Sequence, residues 1–327
     1  MKLKSLLRRR SGQVLVVVAL ALVVGVACST SAQQVVEPPP DTGEASSALA
    51  QWRPGQIPLI KGPVSPDGLQ AIFGTPDLGV GENRIGFVLT SPDALIRTPE
   101  ATVSSFFFPR ERSEEGVLKG TTQAVFRPWP YGTRGLYTTS LTFDAPGRWG
   151  IEVSVSETVG SLRQAKLFFE VKGSASAPEV GAPAVKSKSK TLKDVERLSQ
   201  LTTGSLHDPD LYQMTIAEAV TSGLPTVVSM LSPAFCINAV CGPQVEVLQE
   251  LKNKYKGKAN FIHVDFYDNP EEIQGDLNAA RLSPTVMEWR LSSIEWSFVI
   301  DRKGIVSARF EAFATLEELE QALMRVL

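Results

Sequence analysis

The feature that most constrains the fold is the stretch Pro225–Pro243, where an apolar run passes through a short loop into a helix start. Residues 226–231 are apolar enough for a buried strand. Cys236 and Cys241, two of the three cysteines of the chain, follow this run. A helix N-terminus favours a thiolate over a thiol, so cysteines at this junction predict a chemical site.

The spacing of the two cysteines limits how they can pair. Positions five apart in a regular helix lie about 7.5 Å apart along the axis, whereas a disulfide needs Cα atoms within about 7 Å. Closure therefore requires Cys236 in the loop or an unwound first turn. The residues leave three alternatives open: a redox pair, a structural disulfide, or two small buried side chains.

The chain length and charge limit the class of protein. A chain of 327 residues has room for two domains of about 100–200 residues each. The net charge is −2 with interspersed signs, which argues against a nucleic-acid partner. No cofactor is indicated by any motif.

Residues 57–172 consist of short β-rich runs separated by turn signals. This pattern predicts an all-β sandwich of about seven strands. The region contains no histidine, no cysteine and no clustered carboxylates, so no catalytic or metal site is expected in it. A Pro/Ala/Ser/Lys-rich segment, 173–191, follows it and predicts a flexible linker between two independently moving domains.

Residues 192–327 alternate strand and helix patterns, which predicts an α/β domain with a central sheet. The predicted helices span 216–222, capped by Thr215 with Glu218, 239–255 and 270–280, and a last helix follows the cap made by Thr315 with Glu318. The predicted strands are 226–231, 260–265 and a hairpin formed by 296–301 and 305–310.

The N-terminus has the layout of an export signal, with basic residues before an apolar run, 14–27. As a helix this run would span about 21 Å, short of the ~30 Å hydrocarbon core. Residues 26–30 resemble a bacterial lipoprotein box with Cys28 as the lipidated residue, while an uncleaved anchor or simple secretion are the alternatives. The prediction is a signal peptide over 1–28 and a disordered tether over 29–56. The lipid on Cys28 would anchor the exported protein to the outer face of the bacterial cell membrane.

Two resemblances sharpen the fold prediction. Residues 135–153, GLYTTSLTFDAPGRWGIEV, resemble the terminal hairpin of immunoglobulin-like domains in exported bacterial proteins. The strand-loop-Cys-helix of 226–251, the segment VDFYDNPEE and the hairpin SFVIDRKGIV are similar to proteins of the thioredoxin fold. The predicted fold is therefore multidomain: an immunoglobulin-like sandwich followed by a thioredoxin-like domain.

The cysteine spacing is similar to that of Q-type peroxiredoxins, in which the first cysteine attacks peroxide and the second resolves it. That resemblance would give these roles to Cys236 and Cys241. Pro233 replaces the family's Thr or Ser, and Glu295 stands where an arginine is expected. A carboxylate beside a developing thiolate opposes its charge, which disfavours a peroxidase.

The thioredoxin resemblance implies a substrate groove beside the dithiol. The register of SFVID places Trp296 where that family has a cis-proline, and Pro284 instead predicts the start of a helical turn. The expected groove residues are Phe235, Trp296 and Pro243.

A metal site is a further alternative. Cys236, Cys241 and His263 are ligands that Cu(I) accepts, and copper chaperones for cytochrome oxidase use a paired-cysteine loop on the thioredoxin fold. Because His263 lies in a predicted strand, a core histidine is the simpler interpretation.

The resulting hypothesis is an extracytoplasmic, membrane-tethered protein with thiol–disulfide redox activity through Cys236 and Cys241, acting on a protein thiol or disulfide partner. The alternative is a non-enzymatic binding or scaffold lipoprotein with a structural disulfide, with or without a role in copper handling.

Overall fold

The computed structural model describes residues 60–109, 115–156, 161–205, 208–236 and 242–327. All of them belong to one compact unit, Thr42–Leu327. The predicted signal peptide, the lipidation site Cys28, the tether up to residue 56 and Cys241 lie outside the described residues. Within these ranges, no helix combines the length and apolarity needed to cross a bilayer.

The first half of the described chain forms one sheet of eight antiparallel strands, whose order is β1-β2-β3-β6-β5-β4-β7-β8. The strands are β1 Ile60–Lys61, β2 Gln70–Phe73, β3 Gly81–Thr90, β4 Glu100–Phe107, β5 Val117–Pro128, β6 Gly135–Phe143, β7 Gly147–Ser156 and β8 Leu162–Val171.

This sheet curls until its two edges meet, because β2, next to one edge, contacts β8, the strand at the opposite edge. Its inner face carries a cluster of buried aromatic residues that includes Phe87, Tyr137, Trp149 and Phe169. The sequence predicted two packed sheets with about seven strands; the described strands instead pair into one continuous sheet. A rolled sheet can bury one face around its own core, so strand alternation alone does not distinguish it from a sandwich.

The second half of the described chain forms a four-stranded sheet in the order β10-β9-β11-β12. Its strands are β9 Thr226–Leu231, β10 Asn260–Asp265, β11 Trp296–Ile300 and β12 Val306–Glu311. β9 and β10 are parallel, whereas β11 is antiparallel to both β9 and β12. The predicted strands therefore match the structure to within one residue at each end.

Five α-helices accompany this sheet in the described ranges: α1 Ile216–Ala219, α2 Gln244–Lys254, α3 Pro270–Ile273, α4 Pro284–Glu288 and α5 Leu316–Met324. The predicted capping boxes at α1 and α5 are confirmed. Pro284 opens α4, as predicted.

The predicted helix 270–280 is too long. It ends at Ile273 because Gln274 and Gly275 both have positive φ, 43° and 89°, which no right-handed helix accommodates.

Residues 173–191, for which the sequence predicted a flexible linker, run along the second sheet. Gly181 donates to the carbonyl of Val306, and Val306 donates back to Ala182. Ala177 and Ala184 are buried. The physical reason is that small side chains let this backbone approach β12 closely enough to exchange hydrogen bonds, whereas composition alone suggests only flexibility.

Arg84 of β3 joins the two sheets. Its guanidinium forms an ion pair with Glu318 of α5 at 2.9 Å and donates to the carbonyls of Glu311 and Phe313 at 2.9 and 2.8 Å. The guanidinium also lies 5.5 Å from the centre of the Phe310 ring. One cation thus holds the segment between β12 and α5 against the first sheet.

A second polar joint lies beside it. The backbone N–H of Asp77 donates to Glu311 at 2.9 Å, and Arg309 donates to the Asp77 carboxylate at 2.9 Å. Apolar contacts accompany these bonds, because Leu136 of the first sheet belongs to the same buried cluster as Phe313.

Replacing Arg84 by alanine is expected to lower the free energy of unfolding by about 3 kcal/mol, because Glu318 loses its counter-ion in a largely buried position. Arg127→Ala is the matched control, since Arg127 pairs with the exposed Glu317 of the same helix at 3.2 Å. That pair is expected to be worth less than about 1 kcal/mol. Urea denaturation measures both, and equal losses would contradict the assigned role of Arg84.

Candidate functional site

Cys236 lies in a tight turn that follows β9. The N–H groups of Phe235 and Cys236 donate to the carbonyl of Ser232 at 3.1 and 2.9 Å. The turn leaves Cys236 half-buried at the carboxyl end of the strand, outside any helix. This is the loop position that the five-residue spacing required for disulfide closure.

The side chain of Glu295 lies next to this cysteine. Glu295 directly precedes β11, which pairs with β9, so strand pairing brings it to the end of β9 where the turn begins. Its Oε2 atom is 3.9 Å from the Cys236 sulfur, and the N–H of Gly242 donates to both carboxyl oxygens at 3.2 and 3.3 Å. One carboxyl group therefore contacts the residues at both described ends of the cysteine loop.

Burial changes the charge of this carboxyl group. Glu295 is 2% exposed, and desolvation raises its pKa well above the ordinary value of 4.5, against the opposing hydrogen bond from Gly242. A neutral acid does not repel a thiolate; it can donate a hydrogen bond to one. The raised pKa of Glu295 therefore reduces the charge conflict expected from the sequence.

Gly242 packs closely against the ring of Phe313. A Cβ atom at this position would lie 2.4 Å from the ring of Phe313. The Phe313 ring is buried, and it contacts Trp129 of the first sheet with ring centres 6.2 Å apart. The residue after Cys241 is thus packed against a side chain that both sheets share.

A second buried acid supports the turn from the other side. Asp265, at the end of β10, accepts from the N–H and the hydroxyl of Thr203 at 2.6 and 2.8 Å. Thr203 in turn bonds Ser232 at 2.7 Å and accepts from the N–H of Ala234 at 3.3 Å. Burial raises the pKa of Asp265 to about 7. No motif of the sequence predicted this network; the only signal for it is a carboxylate that ends an apolar strand.

The three expected groove residues have different positions. Phe235 and Pro243 are partly exposed, and Phe235 packs edge-on against Tyr267. Trp296 is fully buried, stacked on Phe298 with Arg309 over its ring, so the structure places it in the core and not at a groove. The physical reason is that strand β11 is central in its sheet, and both of its faces are covered.

His263 is a buried histidine of β10. Its Nδ1 atom lies 2.7 Å from the hydroxyl of Tyr212 and its Nε2 atom 3.3 Å from the carbonyl of Leu231. Desolvation lowers its pKa to about 4. The described ranges hold no group of three or more His, Cys, Asp or Glu arranged to bind a metal ion.

Comparison with known proteins gives weak likenesses. No family model and no curated protein matches the chain. Among solved structures, the PmoD soluble domain from Methylocystis sp. ATCC 49242 (Rockwell) is 13% identical, over 35% of this chain and 98% of that one, with a TM-score of 0.24. A thioredoxin-family thiol:disulfide interchange protein from Chlorobium tepidum TLS is 13% identical, over 36% of this chain and 89% of that one, with a TM-score of 0.26. TM-scores of this size do not assign a fold.

Replacing Glu295 by glutamine tests the neutral buried carboxyl. A folded-state pKa raised above the ordinary 4.5 stabilises the protein at low pH, and this contribution is lost as the pH rises toward the folded value. The variant lacks this dependence, so its stability relative to wild type should grow by up to about 1.4 kcal/mol per pH unit from the ordinary value of 4.5 up to the folded-state pKa, and level off above it.

Urea denaturation of both proteins from about pH 4 to about pH 8 measures this difference. Glu250→Gln, an exposed change on α2, is the control. A difference that stays constant with pH would show that the Glu295 carboxyl is ionised in the folded protein.

Replacing Gly242 by alanine tests the contact with Phe313. The added methyl group meets the buried ring, and the expected cost is about 2 kcal/mol. In a Phe313→Leu background, where the ring is gone, the same change should cost clearly less. Equal costs in the two backgrounds would mean that the ring does not limit this position.

Proposed function

We propose that this chain is an exported, membrane-tethered thiol–disulfide exchange protein in which Cys236 and Cys241 form a reversible disulfide on a thioredoxin-like sheet. The observation that carries the proposal is the buried Glu295 carboxyl, which lies 3.9 Å from the Cys236 sulfur and whose pKa is raised by desolvation. A buried ionisable group placed against a cysteine is typical of a site that handles protons.

Two further features support the proposal. The turn from Ser232 to Cys236 keeps the cysteine out of the helix, where the spacing would prevent closure. The sheet order β10-β9-β11-β12, with the cysteine after β9 and α2 behind it, is the arrangement that the thioredoxin resemblance implies.

The proposed reaction transfers two electrons from the cysteine pair to a partner disulfide. The Cys236 thiolate attacks one sulfur of the partner, so that a mixed disulfide forms, the partner's S–S bond breaks and the departing thiolate takes up a proton. The Cys241 thiolate then attacks the Cys236 sulfur, which releases the second partner thiol and closes the Cys236–Cys241 bond. A second protein dithiol must reduce the pair again.

Glu295 acts on the Cys236 sulfur in this scheme. Its neutral carboxyl donates a hydrogen bond to the thiolate before attack, which favours the charged nucleophile. Once Cys236 has formed a disulfide, the same carboxyl contacts an uncharged sulfur atom. The site contains no arginine in the position that peroxiredoxins use, because Glu295 occupies it, and peroxidase activity remains disfavoured.

The reduction potential of the pair decides between this function and a structural disulfide. In a full-length Cys28→Ser background, equilibration with thiol buffers should give a value between about −270 and −120 mV, the range of exchange proteins. A value below about −300 mV, with a lowered melting temperature for Cys236→Ser as its main effect, would instead support the scaffold alternative.

Substitutions at the two cysteines should affect the exchange reaction differently. Cys236→Ser is expected to abolish exchange with a model disulfide, while Cys241→Ser should accumulate a mixed disulfide at Cys236 that mass spectrometry detects. Titration with stoichiometric Cu(I) tests the alternative of copper handling. Tight Cu(I) binding by the wild type that is lost in both Cys236→Ser and Cys241→Ser would indicate a copper site.

A further inference from the structure

A cavity of about 300 Å³ lies beside the cysteine turn. It is lined by residues 203–205, by Pro233 and Ala234 of the turn, and by Val245 and Glu246 of α2. Pro233 and Ala234 precede Cys236 by three and two positions, and Glu246 follows it by ten. Its volume is at the lower end for small-molecule pockets, which suits one side chain and not a whole cofactor.

The cavity has an apolar side, formed by Pro233, Ala234 and Val245, and a polar side with Thr203 and Ser205. Val245 is buried in the same apolar cluster as Leu136 and Phe313. Gly204 packs closely on Pro233, because a Cβ atom on Gly204 would lie 3.0 Å from the proline side chain. Thr203 is fixed by its bonds to Asp265. A pocket whose walls are already fixed loses little conformational entropy when it binds a partner.

The charge at the rim has one sign. Glu246 contributes the single carboxylate of the lining, and none of the lining residues that the structure describes is a lysine, arginine or histidine. Its Oε1 atom accepts a hydrogen bond at 3.2 Å from Tyr131, which is 58% exposed and belongs to the loop between β5 and β6. Tyr131, from the loop between β5 and β6, thus orients the Glu246 carboxylate of α2.

We propose that this cavity binds a lysine or arginine side chain of the peptide partner that reacts at Cys236. The aliphatic stem lies on Pro233, Ala234 and Val245, and the cationic head pairs with Glu246. Long basic side chains commonly place their stem on apolar surface and their charged end at a polar group. Tyr131 is a positioning residue for that carboxylate. This inference rests on the proposed redox function, because it names the substrate class of that site.

The position of the cavity also predicts where the basic residue stands in the partner. Ala234 is two residues from Cys236, and two extended residues span at most about 7 Å. The basic side chain is therefore expected two or three positions from the reactive cysteine of the partner.

The experiment uses labelled peptides in which serine replaces the reactive cysteine, with lysine, norleucine or glutamate two positions away. Norleucine keeps the aliphatic stem of lysine and lacks the charge. Fluorescence anisotropy with the full-length protein should give about threefold tighter binding of the lysine peptide than of the norleucine peptide, the size expected for one exposed ion pair. Added salt should reduce this ratio.

Variants assign the preference to the cavity. Glu246→Gln should equalise the lysine and norleucine peptides, and Glu246→Lys should favour the glutamate peptide. Tyr131→Phe should reduce the ratio while leaving norleucine binding unchanged, which a general loss of structure would not do. Glu250→Gln, on the next turn of α2, should leave the ratio unchanged.

Three results would overturn the proposal: no binding of any peptide, equal binding of the lysine and norleucine peptides to wild type, or a lysine preference that survives Glu246→Gln. Because these peptides contain no thiol, their binding does not depend on redox activity. The redox function is tested separately, by the reduction potential of the cysteine pair.

Discussion

The cation of Arg84 determines how the two sheets meet. Its three partners, the carboxylate of Glu318 and the carbonyls of Glu311 and Phe313, lie on the chain from the last residue of β12 to the first turn of α5. Ala312, at the centre of that chain, has a φ of 60°, which is unusual for a residue with a side chain. Its N–H donates to the carbonyl of Glu295 at 2.9 Å. The segment that Arg84 holds is thus the same one that contacts the carboxyl-bearing residue beside Cys236.

This arrangement makes the first sheet part of the cysteine site without giving it a reactive group. Phe313 is pressed between Gly242 and Trp129, and Ala314 donates to Gln244 at the start of α2 at 2.8 Å. Tyr131 donates a hydrogen bond to Glu246, two residues further along the helix. A change at Gly242 would therefore alter the packing of Phe313 against Trp129, and a change at Phe313 would alter the start of α2.

Local patterns made much of the second half predictable. The capping boxes, the strand before Cys236 and the β11–β12 hairpin each depend on residues close together in the sequence. The contacts that define the site do not. Glu295 is 59 positions from Cys236, and Arg84 is 234 positions from Glu318. Such contacts follow from strand pairing and from the packing of one sheet on the other, which no local pattern specifies. Alternation likewise predicted the strands of the first sheet but not that they pair into a single rolled sheet, because both arrangements bury one face.

The backbone bonds between residues 181–184 and β12 have a consequence for solubility. β12 is the outer strand of its sheet, and an uncovered edge presents unpaired N–H and C=O groups that recruit strands from other molecules. Here the edge is occupied by Gly181, Ala182 and Ala184, which exchange hydrogen bonds with Gly304 and Val306. Pro183, which has no N–H to offer, lies between them. A fragment cut at residue 192 would lose this cover and expose β12 to a second copy of itself, so self-association of such a fragment would reflect the exposed edge and not a native oligomer.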